Sequence, residues 1–75
     1  MSLIDLLNII SKDSYILVND EYVLGIRYNK ILHCYCWCWK NGSYVEDNSD
    51  RYKIKRVILS KNVIDVKWKL KYIED

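Results

Sequence analysis

The chain has 75 residues, of which 51% are hydrophobic and 29% charged, with a formal net charge of +2. That length supports one modest core, so we expect residues 1–75 to form a single domain. No apolar run approaches the ~18 residues of a membrane span, so no membrane partner is expected. The N-terminal stretch lacks the basic start of a secretory signal, and no low-complexity tract indicates disorder.

Residue usage indicates the coding background. Ile, Lys, Tyr and Asn, which have AT-rich codons, are abundant, whereas Ala and Pro are absent. This favours a low-GC bacterial host or one of its phages, with the protein in the cytoplasm. Because Lys is then the default polar residue, a row of lysines is weaker evidence of function than it would be elsewhere.

The first predicted element is an amphipathic helix over about residues 2–12. Ser2 is a favourable N-cap, and Asp5 follows it in the first turn. Leu3, Leu7 and Ile10 share one helical face at i, i+4 and i+7, and Leu6 at i+3 completes the stripe.

Apolar residues alternate with period two from the end of this helix to the C-terminus, which predicts antiparallel strands. The predicted strands are 15–18, 22–28, 31–40, 43–46, 51–59 and 63–73, with turns at Asn19-Asp20, Asn29-Lys30 and Asn41-Gly42. We therefore expect an α+β or mostly-β fold in which the helix packs on a bent, five- to six-stranded antiparallel sheet. A small SH3- or Sm-like barrel is one form that such a sheet can take.

The strand at 31–40 is apolar on both faces. Its cysteines point one way, whereas Tyr35, Trp37 and Trp39 point the other. One short helix cannot cover both faces of a flat sheet. Either the sheet curls, or the aromatic residues meet a partner, so these three are candidate partner-binding residues.

The three cysteines are expected to be buried free thiols rather than a metal or redox site. Cys34, Cys36 and Cys38 repeat at ~6.5–7 Å along one strand face, which is too far for shared zinc ligation or an unstrained disulfide. His33 points to the opposite face, and the acidic segment 46–50 lacks calcium-loop spacing. No phosphate-binding or catalytic motif is present, so we expect no cofactor and no enzymatic activity.

The C-terminal part carries the strongest charge pattern. Residues 51–73 contain eight cations and one acid. Pairing 51–59 with 63–73 through a loop at 60–62 places six of these cations on one face, and like charges opposite one another destabilise a sheet. Such a face indicates anion binding, while a solvated face that protects a sheet edge is the alternative. The predicted face comprises Arg51, Lys53, Lys55, Lys67, Lys69 and Lys71.

One stretch resembles a known family. Residues 57–64, Val-Ile-Leu-Ser-Lys-Asn-Val-Ile, are similar to the second motif of the Sm-like RNA-binding proteins, with Ser60-Lys61 where the family has Arg-Gly. The resemblance implies a helix followed by a five-stranded curled sheet. It transfers no binding residue, because the family's first motif is not found around Gly25.

Two functions remain open at this point. The first is a non-enzymatic protein-binding module that uses the basic face and the aromatic strand against an anionic partner surface. A phage or mobile-element inhibitor of a host enzyme or defence complex would be such a module. The second is a small β-barrel that binds nucleic acid without sequence preference, through the same lysines. The aromatic strand also permits a homodimer.

Overall fold

The computed structural model describes residues 1–47 and 54–74. This part of the chain forms an α+β fold with one main helix, one short helical turn and a four-stranded antiparallel sheet. The elements are α1 (Leu3–Lys12), β1 (Tyr15–Val18), β2 (Gly25–Asn29), β3 (Cys34–Cys38), α2 (Lys61–Ile64) and β4 (Lys69–Tyr72).

The predicted N-terminal helix is confirmed. Ser2 precedes α1 in an extended conformation, and its Oγ accepts a hydrogen bond from the Asp5 amide at 3.3 Å. The helix buries Leu6, Leu7 and Ile10, which form one stripe because they are three or four residues apart.

The turns that the sequence predicts at Asn19-Asp20 and Asn29-Lys30 are present, and a buried asparagine side chain shapes each of them. The Asn19 Oδ1 accepts hydrogen bonds from the amides of Glu21 and Tyr22 after β1. After β2, the Asn29 Oδ1 accepts from the amides of the second and third residues that follow it. In each turn, the asparagine side chain accepts hydrogen bonds from backbone amides that have no backbone acceptor there. The oxygen of each buried asparagine side chain therefore has hydrogen-bond partners.

The sheet order is β3-β2-β1-β4, so the C-terminal strand pairs with the N-terminal one. Antiparallel pairing aligns Leu17 with Ile26 between β1 and β2, and aligns the same Leu17 with Leu70 of β4. On the other side of β2, Ile26 lies opposite Trp37 of β3. Leu17 and Ile26 have no exposed surface, and they form the centre of the core beneath α1.

A turn, rather than a helix, covers the second face of the sheet. The predicted turn at Asn41-Gly42 is present, and the segment around it lies over the face that carries Cys36 and Cys38. The Arg27 Nη1 donates to the Gly42 carbonyl oxygen at 2.8 Å, and its guanidinium lies 5.1 Å from the centre of the Tyr44 ring. A turn therefore protects the face that one helix cannot reach.

The outer edge of β3 is paired by short, irregular segments. The Trp39 amide donates to the Ser43 carbonyl at 2.8 Å, which confirms the predicted return of the chain after the turn. Farther along β3, the Trp37 amide donates to the carbonyl oxygen of Lys55 at 2.9 Å, and Cys36 forms an isolated β-bridge with Arg56. Within the described ranges, neither segment continues as a regular strand.

The C-terminal hairpin prediction is wrong. Strand β4 pairs with β1, whereas residues 55–57 lie against β3 and Ile54 pairs with Glu46. The start of the predicted strand at 63–73 lies instead in and just after the helical turn α2. Val63 and Val66 are buried and lie three residues apart, as in a helix, whereas Ile64 is 56% exposed. Residues 51–53 of the other predicted strand lie outside the described part.

Among the described residues, the sheet also has fewer strands than predicted. The described residues contain four strands rather than five or six, with β3 and β4 at opposite ends of an open sheet. The segment that resembles the Sm-like motif does not form a strand, since residues 57–60 are irregular and α2 follows them.

Candidate interaction surface

Strand β4 is the most accessible strand of the sheet. All four of its residues, Lys69–Tyr72, are exposed, and β1 is the strand that it pairs with among the described residues. A sheet edge of this kind offers backbone hydrogen-bonding groups to another chain. The position and exposure of β4 make its outer side the leading candidate for an interaction surface.

The side chains of β4 separate into a basic and an apolar row. Lys69 and Lys71 lie opposite Val18 and Ile16, on the face that α1 does not cover. Leu70 and Tyr72 lie on the helix side and are 37% and 61% exposed. This alternation follows from the period of two in an extended strand. It confirms the lysine alternation predicted for this part of the chain.

A third lysine joins the basic row from the turn after β3. The Lys71 Nζ donates to the carbonyl oxygen of Lys40, and the Lys69 Nζ lies 2.7 Å from the Asp20 Oδ2. The hydrogen bond and charge of Lys69, with a further contribution from Lys40, hold the pKa of the Asp20 carboxyl below its ordinary value. We call Lys40, Lys69 and Lys71 the edge lysines. The charges of Lys69 and Lys40 act on the Asp20 carboxylate, and the ammonium of Lys71 is held at the Lys40 backbone.

Of the remaining predicted cations, the structure describes Lys55 and Lys67, and it does not join either of them to this group. Lys55 lies beyond the outer edge of β3, at the opposite end of the sheet from β4. Lys67 is exposed two residues before β4. Arg51 and Lys53 lie outside the described residues. The structure therefore brings together Lys69 and Lys71 from the predicted face and adds Lys40. The sequence signal for Lys40 is its position directly before the predicted Asn41-Gly42 turn.

The predicted aromatic residues occupy different environments. The Tyr35 hydroxyl donates to the Leu7 carbonyl oxygen of α1 at 2.9 Å, and its ring packs edge-to-face on Tyr28 at 5.1 Å. Trp37 is half-buried against the core, whereas Trp39 is 45% exposed. The face that the sequence predicts for partner contact is thus the face on which α1 packs, and Trp39 is the most exposed of the three.

Sequence reasoning missed an apolar cleft of about 360 Å³ between the β1–β2 loop and α2. Tyr22, Trp37 and Trp68 line it, and the Trp68 Nε1 is fixed by donating to the Val63 carbonyl oxygen at 2.8 Å. The missed signal was the i, i+3 spacing of Val63 and Val66, which indicates a helical turn and hence a concave surface beside it.

The cysteines are reduced, and two of them are buried. Burial raises the pKa of the Cys36 thiol to about 12 and that of Cys38 to about 11. The Cys34 and Cys36 Sγ atoms are 3.6 Å apart, and Cys34 is only half-buried. Because buried thiols with raised pKa values stay protonated at neutral pH, Cys36 and Cys38 are poor nucleophiles. Among the described residues, no three His, Cys, Asp or Glu side chains cluster as metal ligands would.

Comparison with protein families, curated proteins and solved structures finds no match for this chain. No helix in residues 1–47 or 54–74 is long and apolar enough to cross a bilayer.

Proposed function

We propose that this protein is a non-enzymatic protein-binding module that holds an acidic partner against β4. The observation that carries the proposal is a strand exposed at all four positions, with the edge lysines along one side of it. Charged groups at an interface select an oppositely charged partner and speed its approach. The whole chain would act as one domain that presents this surface.

The arrangement favours an acidic protein over a nucleic acid. Single-stranded nucleic acids are held by lysines that follow the phosphates and by aromatic rings that stack on the bases. Tyr72 lies on the opposite face of β4 from Lys69 and Lys71, so one bound strand cannot meet the ring and these ammonium groups in that way. An extended polypeptide, whose own side chains alternate between faces, suits the surface better.

The sequence supports a further part of the same proposal. The abundance of Ile, Lys, Tyr and Asn and the absence of Ala and Pro fit AT-rich coding, as in the phages and mobile elements of low-GC bacteria. A small binding module from such a source would act by occupying an acidic surface of a host enzyme or defence complex, in the host cytoplasm.

Fluorescence anisotropy with two labelled probes, poly-glutamate of about ten residues and a single-stranded oligonucleotide, tests this function. The variant is Lys40→Gln/Lys69→Gln/Lys71→Gln. The matched control neutralises three exposed lysines elsewhere: Lys12→Gln/Lys30→Gln/Lys61→Gln.

We expect poly-glutamate to bind and the edge variant to weaken binding about tenfold at low salt, since each exposed ion pair contributes ~0.5 kcal/mol. The control, with the same net charge, should retain most of the affinity. Equal losses in the two variants would contradict the proposal, as would tighter binding of the oligonucleotide with the same dependence on the edge lysines.

A further inference from the structure

The backbone of β4 has hydrogen-bonding groups that the pairing with β1 leaves unused. In an antiparallel ladder, opposite residues alternate between hydrogen-bonded and non-bonded pairs. The Ile73 amide donates to the Ser14 carbonyl at 2.9 Å, so Ile73 belongs to a bonded pair, and so does Lys71 two residues earlier. The amide and carbonyl groups of Leu70 and Tyr72 therefore point away from β1.

We infer that the partner adds to β4 as a further antiparallel strand, through an extended segment in which acidic residues alternate with apolar ones. The inference rests on the proposed function and names the chemistry of its partner. Each ladder of this sheet in the described residues is antiparallel, so the added strand continues the same pattern. Main-chain bonds to Leu70 and Tyr72 would provide affinity, as in other cases of strand addition.

The two rows of side chains on β4 determine the partner's sequence pattern. Directly opposite residues in a sheet point to the same face, and their side chains are in contact. Acidic residues two positions apart therefore meet Lys69 and Lys71. The residues between and after them meet Leu70 and Tyr72, which are exposed on the other face. An alternating acid–apolar segment satisfies both rows, whereas a cluster of consecutive acids satisfies one.

The same lysines disfavour a second copy of this chain in the two registers that overlap most of β4. Two-fold pairing of β4 with itself centred on Lys71 sets Lys71 against its own copy, and pairing centred on Leu70 sets Lys69 against Lys71. Like charges directly opposite one another destabilise such pairs. Lysines on exposed edges are a common protection against self-association, and here they leave the edge open to an acidic strand.

Asp20 acts as a built-in competitor for the partner. Its Oδ2 lies 2.7 Å from the Lys69 Nζ, and both side chains are largely exposed. An acidic residue of the partner opposite Lys69 must share or displace this contact. The variant Asp20→Asn removes the competing charge, so we expect it to bind the acidic strand about twofold to fivefold more tightly.

The direct experiment uses peptides of about ten residues with equal numbers of Glu and Val. In one peptide the two alternate, and in its isomer the Glu residues are grouped. We expect the alternating peptide to bind about tenfold more tightly, because only it fits both rows while forming main-chain bonds. Equal affinity for the two isomers, with both lost in the edge-lysine variant, would refute strand addition and leave the acidic-partner function standing.

Backbone methylation tests the direction and the hydrogen bonds. In the antiparallel arrangement, each Val opposite Leu70 or Tyr72 belongs to a bonded pair, so its amide faces β4. Methylation of the Val amides should abolish binding of the alternating peptide, whereas methylation of the Glu amides should leave most of it. Equal affinities of the two methylated peptides would overturn strand addition, and the reverse preference would overturn the antiparallel direction.

A variant of the protein provides the complementary test. Tyr72→Pro removes an outward-facing amide, and proline is tolerated on an edge strand where its N–H would face solvent. Tyr72→Leu is the control, because it removes the ring and its contact with Tyr15 but keeps the amide. We expect the proline variant to bind the alternating peptide about tenfold more weakly than the leucine variant. Equal binding by the two folded variants would contradict the inference.

Discussion

Gly25→Ala tests how closely the strands approach one another at the centre of the sheet. A Cβ atom at this position would lie 2.4 Å from the Leu17 carbonyl oxygen of β1 and 3.5 Å from the Cys38 Sγ. Contacts below about 3 Å are repulsive, so β1 and β2 must separate by roughly 0.6 Å or more. Leu17 cannot retreat freely, because it is fully buried and is paired with Leu70 on its other side.

We expect Gly25→Ala to lower the free energy of unfolding by about 3 kcal/mol, at the upper end of overpacking effects. For a domain of this size, that corresponds to a fall in Tm of about 12–24 °C. Thermal unfolding followed by circular dichroism measures it.

Gly42→Ala is the matched control for this prediction. Its Cβ would meet the nearest atoms, in Arg27 and Ile73, at ordinary distances of 3.5 and 3.6 Å. Its cost therefore comes from the backbone φ of 95°, and should be about 1–2 kcal/mol. If Gly25→Ala lowered the Tm no more than Gly42→Ala, the close approach of β1 and β2 would be refuted.

Three further outcomes follow from the packing and the charges. Tyr35→Phe should lower the free energy of unfolding in urea by about 1 kcal/mol, because it removes the hydrogen bond to the Leu7 carbonyl, and an unchanged value would argue against this docking of α1. A thiol reagent should label Cys34 first in the native protein and the other two cysteines only on unfolding, since they are fully buried, whereas rapid labelling of all three would show an open sheet face. Lys69→Gln should raise the pKa of Asp20 toward its ordinary value of 3.8 in an NMR titration. Because the folded-state pKa lies below the unfolded one, this ion pair stabilises the fold above about pH 4 and is lost as the pH falls, so an unchanged pKa would show that the pair does not form in solution.

The sequence predicts the first half of the fold well because its local signals agree with one another. The Ser2 cap and the apolar stripe specify α1, and the two buried asparagines, Asn19 and Asn29, mark turns between alternating segments. The turn at 41–42 follows from a glycine with φ of 95°. In each case the interactions that form the element lie within a few residues of it.

The second half of the fold depends on contacts that no local pattern contains. Ile64 and Val66 fit a strand by alternation, whereas Val63 and Val66 fit a helical turn by their i, i+3 spacing. The burial of Val63 in the core with residues of α1 and β1 decides between the two. Likewise, the period of two at 69–72 correctly separates lysines from apolar residues but does not identify the neighbouring strand. Pairing with β1, about 55 positions earlier in the chain, is a tertiary choice.

The candidate site shares this limitation. Lys69 and Lys71 are found by their alternation, but the third edge lysine joins them because the turn after β3 folds over the sheet. Similarly, the two-sided apolar character of β3 correctly signals that both faces need cover. The sequence does not show that the Tyr35 hydroxyl bonds to α1, or that Arg27 and Tyr44 pack together over the other face.

Hydrogen exchange at two amides tests the central claim most directly. The amides of Leu70 and Tyr72 face away from β1, so they should exchange rapidly in the protein alone. With the alternating Glu–Val peptide at about a hundred times its Kd, we predict that exchange at both positions slows by up to about a hundredfold. Unchanged exchange at Leu70 and Tyr72 under saturating peptide would contradict the account.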